Sequence, residues 1–168
     1  VYGHWNARQE ADGCRDVLVL SPPGGRPGLS LTPLDLRPRE VRLRAGTSLT
    51  GYRLRPGAVP DEALHQALAG ALAERPDRLA ERLGNALAGR GEAEEIIQAL
   101  VRPQRSCRET AADLGVSLRT LERRLKACGL PPPEHWRQLA RARRAGLALR
   151  QDLPLAEVAE AAGYADQA

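Results

Sequence analysis

At 168 residues and a net charge of +4, the chain can hold one mid-sized domain or two small ones. It has no apolar run long enough to span a bilayer and no secretory h-region, so a soluble, cytoplasmic protein without a membrane partner is expected. Cys14, Cys107 and Cys128 are scattered, with no C-x-x-C or Cys/His cluster, which argues against a metal site or a disulfide framework.

Val1 leads a chain without any Met, so the start of the gene product is expected to lie upstream. Residues 1–57 read as β. Val17 to Leu20 is a short apolar run stopped by Ser21-Pro-Pro-Gly-Gly. Val41 to Arg44 alternates with period two, and Thr47 to Leu54 resembles another strand ended by Arg55-Pro-Gly. The Gly/Pro density and short strands predict a small antiparallel sheet or part of a barrel, a partial β-rich domain over 1–60. Past Pro60 the pattern turns helical. Leu64, Leu68, Ala71 and Leu72 share one face, as do Leu79, Leu83 and Leu87, with breaks at Pro76-Asp77 and Gly89-Arg-Gly91. Residues 61–91 are therefore expected to form a helical connector. The fold class is α+β.

From residue 92 onward the punctuation sharpens. Glu92 to Val101 predicts a helix with acids in its first turn, where the helix dipole favours them, ended by Pro103. Ser106-Cys-Arg-Glu109 has the form of a capping box and starts a helix at Cys107. Ser117 is placed to cap the next helix, Pro131-Pro-Pro133 opens a helix running to about Gln151, and Pro154 starts another. Two stretches obey one rule. Ala111 and Ala159 each stand four residues before a glycine, Gly115 and Gly163, and an apolar residue, Val116 or Tyr164, follows each glycine. A helix-turn-helix begins this way, because a small residue lets two helices cross closely and glycine suits the tight turn.

Charge follows the same division. Residues 1–101 carry 13 Arg against 13 acids, whereas 117–150 hold nine Arg and Lys against two acids. Lys126 is the only Lys beside 24 Arg, so total Arg content says little and local concentration says more. In the first unit Ala111, Leu114, Val116, Leu121 and Leu125 have the spacing of a core. Arg119, Glu122, Arg123 and Lys126 then share the opposite stripe of a short helix. Arginine forks match guanine O6/N7 and a carboxylate accepts from cytosine N4, so the stripe has the chemistry of base readout. Thr120, Arg124 and Lys126 flank it, where phosphates would lie.

Gly115 to Lys126 resembles the first motif of AraC/XylS-type transcriptional regulators. Arg141-Ala-Arg-Arg-Ala145 is similar to the Arg-x-x-x-Ala of their linker helix. Leu155 to Ala159 with Gly163-Tyr-Ala-Asp-Gln167 is similar to their second motif. The resemblance covers 92–168 as a DNA-binding domain. It implies tandem helix-turn-helix units on a rigid linker, with Arg119, Glu122 and Arg123 facing bases and Ser117, Thr120, Arg124, Lys126 and Gln167 also at the DNA. Leu125 stands where the family usually has an aromatic. The second recognition helix is barely begun at Ala168, so either the residues for a second half-site are expected beyond it or the chain is expected not to bind as family members do. More weakly, Asp12-Gly-Cys-Arg-Asp16 with Gly51-Tyr-Arg-Leu-Arg-Pro-Gly57 resembles the short N-terminal domain of one subgroup. The resemblance implies double-stranded promoter DNA as partner, with a small-molecule effector or a homodimer acting through the N-terminal domain.

The residues allow two other readings. His4, Asp12, Cys14 and Asp16 could be assembled into an enzyme-like site, but Asp12-Gly13 reads as a turn and Cys14 as a small buried side chain. No catalytic residue and no cofactor is expected, since nothing fixes a base beside a nucleophile. Trp136 is expected to anchor the linker helix in the core, and His65 and His135 to be surface or capping residues. The alternative to a DNA reader is an interaction or dimerisation module that no longer binds DNA specifically.

Overall fold

The computed structural model describes residues 4–9, 11–60, 62–74, 78–86, 91–151 and 153–164. Five strands come first: β1 His4–Gln9, β2 Asp16–Ser21, β3 Gly28–Leu31, β4 Arg39–Arg44 and β5 Ser48–Arg53. Helices follow: α1 Glu62–Glu74, α2 Leu79–Ala86, α3 Glu92–Leu100, α4 Cys107–Asp113, α5 Leu118–Ala127, α6 Pro133–Ala148 and α7 Leu155–Ala162, with a 3₁₀ turn at Leu149–Gln151. The chain divides into two compact units, Val1–Glu94 and Glu95–Ala168. An α+β class is what the sequence predicts.

In the first unit β3, β2 and β5 form an antiparallel sheet in that order, and β1 pairs antiparallel with β4. Val17 is opposite Tyr52 and Val19 opposite Thr50, so the alternate residues of β2 turn one face inward. That face closes on the helices. Val17, Leu54 and Ala58 form one buried cluster with Leu68 and Ala71 of α1 and Leu79 and Leu83 of α2. α1 and α2 thus complete the core of the sheet, which is how so small a sheet hides its apolar face. Leu87 and the break at Pro76-Asp77 lie outside the described residues.

The two N-terminal motifs meet here. Asp16 is opposite Arg53 in the β2–β5 register, and the Arg53 fork donates to both Asp16 carboxylate oxygens, Nε to Oδ1 at 3.1 Å and Nη2 to Oδ2 at 3.3 Å. Asp12 also pairs with Arg53, and its Oδ1 accepts the Cys14 N–H at 2.9 Å. The Asp16 N–H donates to Thr32 Oγ1 at 2.7 Å. Asp12, Asp16 and buried Cys14 therefore act as a structural clasp, and the Asp12-Gly13 turn has Gly13 at φ 70°. His4 lies on β1, opposite Arg44.

In the second unit α4 and α5 start at their capping serines, and α6 and α7 start at prolines. Ser106 accepts the Glu109 N–H at 3.1 Å while the Glu109 carboxylate accepts the Ser106 N–H at 2.7 Å. That reciprocal pair holds the Glu109 carboxyl below the usual carboxylate range, with the Ser106 backbone bond the largest cause. Trp136 is buried, and its indole N–H donates to the Pro131 carbonyl at 3.1 Å, which fixes α6 to the triple-proline turn. His135, which the sequence suggests as a surface or capping residue, is half-buried. Its ring stands edge-on to Trp136 with centroids 5.8 Å apart, its Nε2 is buried without a partner, and burial pushes its pKa down. Position 135 lies beside the buried indole on the first turn of α6, so it shares that helix's covered side.

Candidate nucleic-acid interface

The turn after α4 forms because Gly115 adopts φ 68°, a left-handed conformation that costs glycine little. It lets the Gly115 N–H donate to the Ala112 carbonyl at 2.9 Å and the Val116 N–H to the Ala111 carbonyl at 2.9 Å. These two bonds are a Schellman motif and satisfy carbonyls the helix leaves open. Ala111 is buried and Val116 half-buried. Leu114, expected in the core, is 38% exposed. It is the C-cap residue of α4, where the chain turns and only part of the side chain is covered.

Ser117 then caps α5, its Oγ accepting the Thr120 N–H at 3.1 Å and lying 2.9 Å from the Thr120 hydroxyl. Inside the helix Leu121 and Leu125 are both 0% exposed. Burying each contributes about 1.5–3 kcal/mol, which fixes the rotation of the helix. Arg119, Glu122, Arg123 and Lys126 are consequently exposed, and with Thr120 they line one open hollow along the helix. Arg124 is half-buried and already engaged within the protein. The helix closes on a second Schellman turn, with Gly129 at φ 65° and the Leu130 N–H donating to the Leu125 carbonyl at 3.0 Å.

The linker α6 is 16 residues long, about 24 Å at 1.5 Å per residue. After the 3₁₀ turn and Pro154, α7 repeats the geometry of α4. Gly163 sits at φ 78°, its N–H donates to the Glu160 carbonyl at 2.9 Å, and the Tyr164 N–H to the Ala159 carbonyl at 2.8 Å. Gln167 lies outside the described residues. Of the residues the sequence singles out, the structure brings together Ser117, Arg119, Thr120, Glu122, Arg123, Arg124 and Lys126 on one helix and its cap.

In the sequence Arg141 stands out only as part of a spacing motif. In the structure its guanidinium carbon lies 4.2 Å from the centre of the Tyr164 ring, a cation–π contact that ties α6 to the turn after α7. Arg137, Arg141 and Arg144 follow the i, i+4, i+7 spacing of one helical stripe, and that spacing was the available signal. The Cys107 thiol, 3.5 Å from Glu134 Oε2, is pushed up in pKa mainly by burial, the reverse of what a nucleophile needs. Among the described residues no helix is long and apolar enough to cross a membrane, and no three His, Cys, Asp or Glu residues are grouped to hold a metal ion.

A helix-turn-helix domain is the family whose pattern matches, over residues 110–168. No curated protein and no solved structure matches the chain. The matched span starts inside α4 and takes in α5, α6 and α7. Residues 110–168 are a helix-turn-helix domain of the AraC type, and that domain supports a DNA-binding transcription regulator.

Proposed function

We propose that α5 enters the major groove and reads one half-site through Arg119, Glu122 and Arg123, while Ser117, Thr120, Arg124 and Lys126 hold the phosphate backbone beside it. The observation that carries this reading is the two-sided character of α5. Leu121 and Leu125 are fully buried, and the charged stripe opposite them is exposed on a short, capped helix. Arg and Glu on that stripe supply the donors and the acceptor that distinguish base pairs in the major groove. The shared turn geometry at Gly115 and Gly163 favours a second unit of the same design begun by α7 and held by α6, whose ~24 Å approaches the ~34 Å groove repeat once helix widths are added.

Residues 92–168 act in this reading as the DNA-binding domain. The β-rich N-terminal region modulates it, by an effector or by dimerisation. A gel shift of the full protein with promoter DNA at several salt concentrations tests it. Retained preference for one promoter fragment as salt rises supports a sequence reader. Binding that is equal on all fragments and vanishes with salt would favour an interaction module instead.

A further inference from the structure

Outside the α5 stripe, the second unit holds another concentration of positive charge. The loop at 101–105 turns back through Gln104, a non-glycine residue at φ 61°, and brings Arg102 and Arg105 to a small hollow against α6. Arg137, Arg141 and Arg144 of α6 line the same hollow, and no carboxylate does. Carboxylates reach only two of the five from its edge: Arg137 pairs with Glu134 at 3.1 Å and Arg105 with Asp113 at 3.8 Å. Among the described residues Arg102, Arg141 and Arg144 have no carboxylate within ion-pair distance. The Arg141 and Arg144 Nε atoms are buried with no hydrogen-bond acceptor, and the one protein acceptor near Arg144 is the Val101 carbonyl, 3.4 Å from Nη1. Guanidiniums drawn together with fewer acceptors than donors repel one another and leave buried donors open, a combination relieved by an anion.

We propose that this hollow binds a phosphate group. Planar guanidinium forks donate paired hydrogen bonds to phosphate oxygens, and several forks around one point suit a tetrahedral anion better than a flat one. The hollow is half open and its accessible volume of about 20 Å³ limits the ligand. That is room for about one water, so it takes one oxygen of a phosphate at a time and leaves a base or sugar outside. The phosphate comes from the DNA backbone or from a free phosphate compound. The DNA source rests on the proposed function above, whereas the anion site does not.

The test uses the full chain, wild type and Arg102→Gln/Arg105→Gln, with the exposed pair Arg37→Gln/Arg42→Gln as a control of equal charge and thermal melts to check folding. Inorganic pyrophosphate is titrated by calorimetry at low salt, and random-sequence duplex DNA is titrated across a salt series. A free source predicts saturable pyrophosphate binding by wild type, weakened about tenfold or more in the hollow variant, with an unchanged DNA salt slope. A DNA source predicts that the hollow variant loses about one unit of slope beyond the control, near the ~0.9 expected per phosphate contact. The proposal is overturned if the hollow variant matches the control in both titrations. Arg119→Ala/Arg123→Ala, run alongside, separates the two readings: if it discriminates DNA sequences like wild type, the α5 reading fails while the anion result stands.

Discussion

The Tyr164 N–H donates to the Ala159 carbonyl at 2.8 Å, and the Val116 N–H repeats this bond to Ala111 at 2.9 Å. The shared Ala-x-x-x-Gly spacing has a backbone cause as well as a packing one. The alanine supplies the carbonyl that accepts the six-to-one bond of a Schellman turn, and the glycine takes the left-handed conformation that closes it. No atom outside the immediate neighbours lies within 4 Å of where a Cβ would stand on Gly115 or Gly163. Substitution there meets conformational strain alone. Gly115→Ala is expected to destabilise by about 1–2 kcal/mol, with Gly115→Asn costing less, as read by denaturant unfolding. Equal stability of the alanine variant and wild type would mean that the left-handed turn is not required.

The rotation of α5 rests on Leu121 and Leu125. Leu125→Ala is expected to lose about 2–5 kcal/mol, since both side chains are fully covered. Arg119→Ala, on the exposed stripe, should change stability by less than about 0.5 kcal/mol. Unfolding curves of both variants check the contrast, and a large loss in Arg119→Ala would place that side chain inside.

His135 gives the second unit a pH dependence of definite sign. Burial holds its folded pKa below the ordinary value, so the neutral ring is the folded form and unfolding takes up a proton. Its contribution is full above the unfolded value of about 6.5 and is lost as pH falls through the lower folded value. Glu109, also depressed, acts further down: its contribution is present above the unfolded carboxyl value and lost as pH falls through the folded one. The drop in melting temperature from pH 7.5 to 5.5 should therefore shrink in His135→Phe, which keeps an edge-on aromatic against Trp136. An unchanged drop would show that His135 is solvated in both states.

What was legible in the sequence was local. Ser106 with Glu109, Ser117, and the prolines at 131–133 and 154 fix helix starts through bonds or backbone limits that span three or four residues. Leu121 and Leu125 were legible for the same reason. β1 and β3 were not: His4–Gln9 offers only Trp5 and Ala7 as alternating apolar residues, and Gly28–Leu31 has four residues, so each is defined by its partner strand. The clasp of Arg53 on Asp12 and Asp16 and the arginine hollow join residues far apart in the chain, which no local pattern reports.

Lys126 is exposed in the last turn of α5, where a cation suits the helix dipole and a phosphate could be met. Lys126→Ala should weaken binding to all DNA sequences alike and reduce the salt slope by about 0.9. A salt series on specific and random duplexes checks this. A change confined to one sequence would make Lys126 a base contact instead.

Arg123 tests the account most directly. Its side chain is exposed on the stripe of α5 set by Leu121 and Leu125, and its fork is suited to guanine O6/N7. The measurement is the affinity of wild type and Arg123→Ala for an operator and for every single-base change across it, at one fixed salt concentration. The account predicts a loss of about 1–3 kcal/mol on the operator, with discrimination relaxed at one base position and kept elsewhere. An Arg123→Ala profile that parallels wild type at every position would contradict it, because α5 would then lie outside the groove.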